Sequence, residues 1–374
     1  MTDRPSALYN CVPNAGDRGT VAERDVVVIG GGQSGLAAGF YLTRAGADFE
    51  ILDAAHAPGG AWPHTWPSLR LFSPAEYSSL PGKRMPATDG AGSGGENPDA
   101  DHVVEYLRAY EERYDLPVRR EVRVARVEHA DGGGFLIHTD DGRTWRSRVV
   151  ISVTGTWSRP FVPAVPGAAG FRGEQVHSAH YRGPDRFAGR RVVVVGGANS
   201  GAQIAADLAG HCDLTWCTLG PPRYLPQDVD GRELFRVASA AVRGQGGGGV
   251  AELGDIVVVP PVRAARDAGL LRATPMFTRF SGDGVEWDGV EWDDGEAVRV
   301  DAVIWCTGFR PALGHLSGLG LPRRRGRIVT DGPRVPDVPG LYLLGYGDWC
   351  GAASATLIGV GQWARGAVGD ALGD

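Results

Sequence analysis

An α/β fold of two strand–turn–helix–strand domains, the second inserted into the first, follows from three observations on this 374-residue chain. A run of β-formers, Asp25-Val26-Val27-Val28-Ile29, leads into the glycine turn Gly30-Gly31-Gly32-Gln33-Ser34-Gly35. A second run, Arg191 to Val195, leads into Gly196-Gly197-Ala198-Asn199-Ser200-Gly201. Beyond the second unit come another buried apolar run, 300–307, and a tail reading as strand, glycine turn and helix. Strands alternating with helices build parallel sheets. A glycine turn at each strand-to-helix junction makes both domains Rossmann-like, that is, dinucleotide-binding. The expected organisation is an N-terminal extension at 1–23, a first domain made of 24–158 and 300–374, and a second domain at 159–299.

In chain order, residues 26–29 read as the first strand. A helix from Ser34 to about Arg44 carries Leu36, Ala37, Phe40 and Tyr41 at helical spacing, and Ala45-Gly46 ends it. Residues 49–53 are the next strand. A stretch rich in Pro, Gly, Trp and Ser from Ala54 to about Asp99 reads as loop. Val103, Val104, Leu107 and Tyr110 then mark a helix. Three short strands are expected near 117–128, 134–138 and 143–150, turned by Asp131-Gly132-Gly133 and Asp140-Asp141-Gly142. Residues 151–155 read as a separate buried strand ending on a glycine. The second strand–helix–strand unit covers 191–218. Residues 219–270 show no clear period, 271–300 read as hairpin-like strands, and the glycines at 244–249 as a flexible loop.

Composition excludes several classes. Hydrophobic residues at 43% and charged residues at 22% fit a globular protein. A net charge of −6 shows no basic excess for a nucleic-acid partner. No apolar run nears the roughly 20 residues that cross a bilayer, so no membrane partner is expected. The first 23 residues lack the apolar core of a secretory signal. Five cysteines, Cys11, Cys212, Cys217, Cys306 and Cys350, have no C-x-x-C spacing. They read as free thiols of a cytoplasmic protein, with no metal site. Cys212 and Cys217 flank one strand and point to opposite faces.

Gly30-x-Gly32-x-x-Gly35 is a full dinucleotide fingerprint in its proper setting. The first glycine permits the tight turn, the second lets the backbone approach a pyrophosphate, and the third lets helix and strand pack closely. The helix start behind it, with Gln33 and Ser34, offers N–H groups and a positive dipole end. Asp53 closes the second strand, where a carboxylate accepts from an adenosine ribose 2′-OH. The second turn, with Gly196, Asn199, Ser200 and Gly201, has Ala198 for its middle glycine. A methyl group there still admits a pyrophosphate. Its second strand ends Thr215-Trp216-Cys217-Thr218-Leu219, without an acid. An acid would select NADH, and its absence tolerates the 2′-phosphate of NADPH. Arg223 lies four residues on. It reads equally well as a partner for that phosphate or as a solvated loop arginine. Pro58-Gly59-Gly60-Ala61-Trp62 fits a backbone lying against a flat ring system. His64, Trp66, Phe72 and Tyr77 continue this aromatic stretch, with Trp66 and Tyr77 read as core. Two dinucleotide sites in one chain suggest two cofactors that exchange electrons.

Between the turns lies Phe171-x-Gly173-x-x-x-His177-x-x-x-Tyr181. With both fingerprints, this motif makes the chain resemble the single-component flavin-dependent monooxygenases of the FMO and Baeyer–Villiger type, over about residues 24–366. Tyr181 in the last place is the FMO-like variant. Within the family the chain is most similar to the ArsO group, flavoprotein monooxygenases found with arsenic-resistance genes. That likeness rests on segments 59–66, 69–82, 225–231 and 345–349.

The resemblance implies FAD at the first fingerprint and NADPH at the second. Hydride would pass to the flavin, and O₂ would add to give a C4a-(hydro)peroxide that oxygenates a small substrate, an organic carbonyl, heteroatom or arsenic compound. It implies that Gly60 and Trp62 lie at FAD, that Asp348 accepts from the ribityl chain, and that the Val124 backbone contacts adenine. Thr154-Gly155 and residues 306–309 would cross between the domains. His177 and Tyr181 would set that linker and the nicotinamide, the glycines at 244–249 would form part of a lid, and the last helix would start at the flavin. A homodimer is the family-based expectation. One position departs: Phe72, two residues before Pro74, stands where FMOs carry an Asn that helps hold the oxygenated intermediate. This keeps open an alternative, an NAD(P)H-dependent flavin reductase or oxidase acting on quinones, diketones or O₂ without oxygen insertion.

Overall fold

The computed structural model describes residues 21–88, 97–225, 256–287 and 298–373. Most of the N-terminal extension with Cys11, the glycines at 244–249 and most of segment 225–231 lie outside the described residues.

Strand β1 (Val21–Ile29) becomes fully buried from Val26 on. The glycine turn leads into helix α1 (Gln33–Arg44) and then β2 (Phe49–Leu52), which pairs parallel to β1. Helix α2 (Ala100–Arg113) starts on Asp99, whose carboxylate accepts from the His102 N–H at 2.9 Å. After it come β3 (Val118–Arg119), β4 (Val124–His129), β5 (Phe135–Thr139) and β6 (Thr144–Ser152). The strand expected separately at 151–155 begins as the buried end of β6, because one parallel register with β1 runs from Thr144 to Ser152.

The second sheet opens with β7 (Glu174–His177) and β8 (Arg191–Val195). Helix α3 (Asn199–Leu208) and β9 (Asp213–Thr218) complete the expected unit. Helix α4 (Pro260–Asp267) falls in the stretch without clear period. Strand β10 (Ala273–Pro275) is not a hairpin: it joins β9 in parallel. Strands β11 (Arg279–Phe280), β12 (Gly284–Glu286) and β13 (Val298–Arg299) form a small antiparallel sheet.

The expected return to the first domain near residue 300 is too early. Strand β14 (Ala302–Trp305) lies between β8 and β7, parallel to both, in the second sheet. A buried aliphatic strand with either face apolar suits the middle of any parallel sheet, so its pattern alone did not say which one. After the hairpin β15 (Arg323–Arg324) and β16 (Arg327–Ile328), the chain rejoins the first sheet as β17 (Leu341–Leu343), beside β6. Helix α5 (Leu357–Leu372) closes the fold and packs on α1.

The first sheet runs β3-β2-β1-β6-β5-β4 with β17 also on β6, and the second β10-β9-β8-β14-β7. Apolar clusters cover both faces of each sheet. Cys212 lies by one such cluster and Cys217 in another, on opposite faces as expected. Two crossing segments join the halves and pair with each other. Phe161 N–H donates to Gly308 O at 3.0 Å, Arg310 N–H to Arg159 O at 2.8 Å and Ala312 N–H to Gly155 O at 2.9 Å. Among the described residues, no helix is long and apolar enough to cross a membrane.

Candidate active site

The first glycine turn sits at the C-terminal end of β1. Gly30 has φ +118°, and a Cβ on it would lie 2.7 Å from Val153 O. A Cβ on Gly35 would lie 2.0 Å from Gly30 O. Both positions therefore exclude side chains on the protein's own account. Gly32 differs: a methyl there would meet nothing nearer than Gly60 Cα at 3.6 Å, an ordinary contact. The protein leaves that space open, as a cradle for a close-approaching pyrophosphate requires. Gly60 does need to be glycine, since at φ +59° its Cβ would lie 2.8 Å from Gly32 Cα.

Gln33 ties three stretches together at the mouth of the turn. Its Nε2 donates to Ala355 O at 2.8 Å, and its Oε1 accepts from Trp62 Nε1 at 3.1 Å. Trp62 is thus held edge-on by Gln33, and Ser34 is buried below. Asp348 Oδ1 accepts from the Ala353 N–H at 2.8 Å, which holds a turn where Gly347 (φ +114°) and Ala353 (φ +57°) are left-handed. Helix α5 starts four residues beyond Ala353, capped by Thr356, which accepts from the Gly359 N–H at 3.0 Å. Asp53 is buried against Gly31, and its Oδ2 pairs with Arg120, which also holds Glu111. Arg120 went unread in the sequence. The doubled Arg119-Arg120 facing Glu50 and Asp53 was its signal, since both arginines pair across the neighbouring strand end. Val124 opens β4 beside a bulge, pairing with Thr139.

The second turn repeats the geometry at the end of β8. Gly196 has φ +140° with a Cβ position 2.4 Å from Cys306 O, and a Cβ on Gly201 would lie 2.0 Å from Gly196 O. Thr218 is buried under Gly197, in the place Asp53 takes under Gly31. Trp216 Nε1 donates to Gly196 O at 2.8 Å. Asn199 Oδ1 accepts from the Val257 N–H at 2.8 Å, so its side chain anchors returning chain. Ser200 is half-buried at the start of α3, and Arg223 is exposed just past β9.

At the junction, His177 Nδ1 accepts from the Ala179 N–H at 3.1 Å, so Nε2 carries the proton and donates to Gly308 O at 3.0 Å. Burial pushes its imidazole below the usual range, partly offset by the Gly308 carbonyl. With both nitrogens bonded to backbone, the ring ties its own segment to the second crossing segment. Its ring meets Phe309 edge-on at 4.9 Å, Phe309 meets Trp157 at 5.2 Å, and Trp157 stacks on His64 at 6.0 Å. Motif reading placed Phe309 on a crossing segment, 306–309, but missed Trp157, two residues past the other, Thr154-Gly155.

Tyr181, grouped with the catalytic candidates, is a packing residue. It is fully buried in the second domain, stacked on Phe187, and its hydroxyl donates to Asp207 Oδ2 at 2.7 Å. Burial, then the Asp207 carboxylate, push its phenol far up. Phe72 is 39% exposed on the loop after Leu71.

The four described cysteines are unpaired. Burial raises the thiols of Cys217 to about 12 and Cys212 to about 11, and raises Cys306 and Cys350. Thiol exchange needs an accessible thiolate, which these four do not offer.

Two nucleotide cradles at the ends of parallel strands in two sheets, joined by paired crossing segments, define an oxidoreductase that brings two dinucleotide cofactors together. Residues 27–223 and 271–356 both match the pyridine nucleotide-disulphide oxidoreductase family. A flavin-containing monooxygenase from Stenotrophomonas maltophilia is 49% identical, with a TM-score of 0.84 over 94% of this chain and 99% of that one. An uncharacterized CzcO-like oxidoreductase of Geobacillus kaustophilus is 27% identical over 93% of this chain and 98% of its own length. The indole-3-pyruvate monooxygenase YUCCA4 of Oryza sativa subsp. japonica is 30% identical over 58% of this chain and 52% of its own. The chain belongs to the flavin-containing monooxygenase family within the pyridine nucleotide-disulphide oxidoreductases. It is a flavin-dependent oxidoreductase of the monooxygenase type, with FAD and NADPH as its cofactors.

Proposed function

We propose that this enzyme uses NADPH in preference to NADH to oxygenate a small substrate at the junction of its two halves. The observation that carries the reading is the paired cradles: Gly30–Gly35 with Asp53 for FAD, and Gly196–Gly201 with Thr218 for NADPH. Gly60, Trp62 and Gln33 would hold the flavin half of FAD, Val124 its adenine, and Asp348 its ribityl chain. Bound there, the flavin supplies hydride acceptance and oxygen activation. The protein's share is position and exclusion of water. Gln33 and Trp62 lock the loop over the cradle, and His177 fixes the angle of the second crossing segment through Gly308. Thr218, with no charge, leaves room for the 2′-phosphate that an Asp would repel, and Arg223 supplies the counter-charge.

The substrate class is a small organic carbonyl, a soft heteroatom or an arsenic compound, the last through the ArsO-like segments. The aromatic row His64, Trp157, Phe309 and His177 lies beside this junction. The same reading puts the enzyme in the cytoplasm as a homodimer.

Phe72 favours a second reading, a reductase or oxidase without oxygen insertion. An exposed phenyl ring cannot donate the hydrogen bond that an Asn amide makes. One experiment separates the two: H₂O₂ released per NADPH consumed, with and without candidate sulfides, ketones and trivalent arsenicals. Oxygenation predicts that the right substrate lowers H₂O₂ well below one per NADPH. One H₂O₂ per NADPH under every condition establishes the oxidase.

A further inference from the structure

We propose that Gln203 is a positioning residue that couples the nicotinamide half to the loop carrying Phe72. This rests on reading Gly196–Gly201 as the NADPH site. Gln203 lies on α3, 7% exposed, and its amide faces the other domain. Its Oε1 accepts from the Arg70 N–H at 3.2 Å, and its Nε2 donates to Arg70 O at 3.3 Å. A side-chain amide thus pairs with a peptide unit as a neighbouring strand would.

The clasped segment is seated from both sides. Trp66, 4% exposed, and Leu69 pack into the core of the second domain, with Trp66 edge-on to Tyr181 at 6.4 Å. Among the described residues Trp66 Nε1 has no hydrogen-bond partner, so apolar burial seats the ring and Gln203 supplies the directional contact. On the opposite edge, Leu71 N–H donates to Pro98 O at 2.9 Å, and Asn97 Nδ2 to Leu71 O at 2.8 Å. Phe72 follows directly.

Gln203 stands one helical turn beyond Asn199-Ser200-Gly201. A dinucleotide that fixes the start of α3 therefore fixes Arg70, and through Arg70 the loop that bears Phe72. The sequence concealed this, because position 203 follows the fingerprint and Arg70 lies in the loop read least well.

Hydrogen–deuterium exchange of the FAD-loaded enzyme, with and without NADP⁺, tests the coupling. NADP⁺ is expected to slow exchange both at 196–203 and at 66–72. At 66–72 the effect should be about fivefold, the scale of one net hydrogen bond. Gln203→Leu keeps the side-chain volume and removes both bonds. In that variant protection at 196–203 should persist while the response at 66–72 disappears. Gln203→Glu keeps the acceptor and loses the donor, so it should respond between the two, and it serves if the leucine variant fails to load FAD. An unchanged response at 66–72 in both variants overturns the proposal. So does protection at 196–203 without any change at 66–72 in the wild type. Absence of protection at 196–203 in the wild type instead overturns the NADPH assignment.

Discussion

The two glycine turns share a backbone and differ in what lies in front of it. In each, the first glycine is left-handed and jammed against the carbonyl of a neighbouring strand's end, Val153 or Cys306. In each, the third touches the carbonyl of the first. The differences begin outside this frame. The first turn is roofed by Gly60 and backed by a carboxylate, Asp53, whose charge Arg120 shares. The second carries Ala198, is backed by a neutral Thr218, and has a tryptophan N–H on Gly196 O. The shared frame makes a dinucleotide site, and the variable surround decides which dinucleotide and how firmly it stays.

The largest effects should come from breaking the frame. Gly35→Ala and Gly201→Ala each push a methyl group to 2.0 Å from a carbonyl oxygen. Each should cost on the order of 4 kcal/mol or force the turn open. The outcomes should differ by half. Gly35→Ala should purify without flavin, whereas Gly201→Ala should keep flavin and lose reduction by NADPH. Flavin-to-protein absorbance and anaerobic reduction check this. If Gly201→Ala also loses flavin, the two turns do not act separately and the comparison fails.

A methyl at the middle position is the next test. Gly32→Ala meets only an ordinary contact at 3.6 Å, so its melting temperature should hold. FAD affinity should fall by about tenfold or more, because only the pyrophosphate needs that space. Ala198→Gly should change the NADPH KM by less than about threefold, the reverse site already tolerating a methyl. Calorimetric FAD titration and steady-state kinetics read the two. A large drop in the apo-protein melting temperature of Gly32→Ala would show that packing, not a ligand, demands the glycine.

The frame was legible from sequence because it is local. Three glycines, an aliphatic run and a helical period within 30 residues leave one geometry open. Asp53 was legible for the same reason. Less legible was where partners far along the chain take a residue. β14 reads as a buried strand anywhere, and its sheet is chosen by pairing with β8 and β7. Tyr181 sits in a motif, yet Asp207 and Phe187 take it into the core. Trp66 was read rightly as core, but it serves the core of the other domain.

The crossing segments extend the comparison to pH. On the first, Thr154 is held by a buried chain: its N–H donates to the Tyr346 hydroxyl at 3.0 Å, which lies 2.6 Å from Ser152 Oγ, itself 2.9 Å from His315 Nε2. On the second, His177 holds Gly308. Burial pushes His315 down to about 4 and lowers His177. Both rings fold neutral, so their stabilisation is complete above the unfolded value of 6.5 and is lost as pH falls toward the folded one. For His315 this amounts to roughly 3 kcal/mol lost between pH 6.5 and 4. Melting temperatures from pH 7 to 4.5 should fall more steeply in the wild type than in His315→Gln. Parallel curves would mean the ring charges without cost and is not sealed in.

The smallest effect separates the two strand ends, and it bears most directly on cofactor choice. Thr218→Asp gives the second turn the carboxylate of the first. That charge should accept from the free 2′-OH of NADH and repel the 2′-phosphate of NADPH. The ratio of kcat/KM for NADPH over NADH should fall by about tenfold, some 1.4 kcal/mol. Arg223→Ala should move the same ratio in the same direction by about twofold to fivefold, as an exposed charge pair does. Because Thr218 is buried beneath Gly197, Thr218→Val controls for crowding: it keeps the shape, adds no charge, and should leave the ratio unmoved. If the valine variant shifts the ratio as far as the aspartate does, the preference comes from the shape of the turn. If neither shifts it, the neutral strand end has no part in selection, and the charge contrast between the two turns serves the flavin side alone.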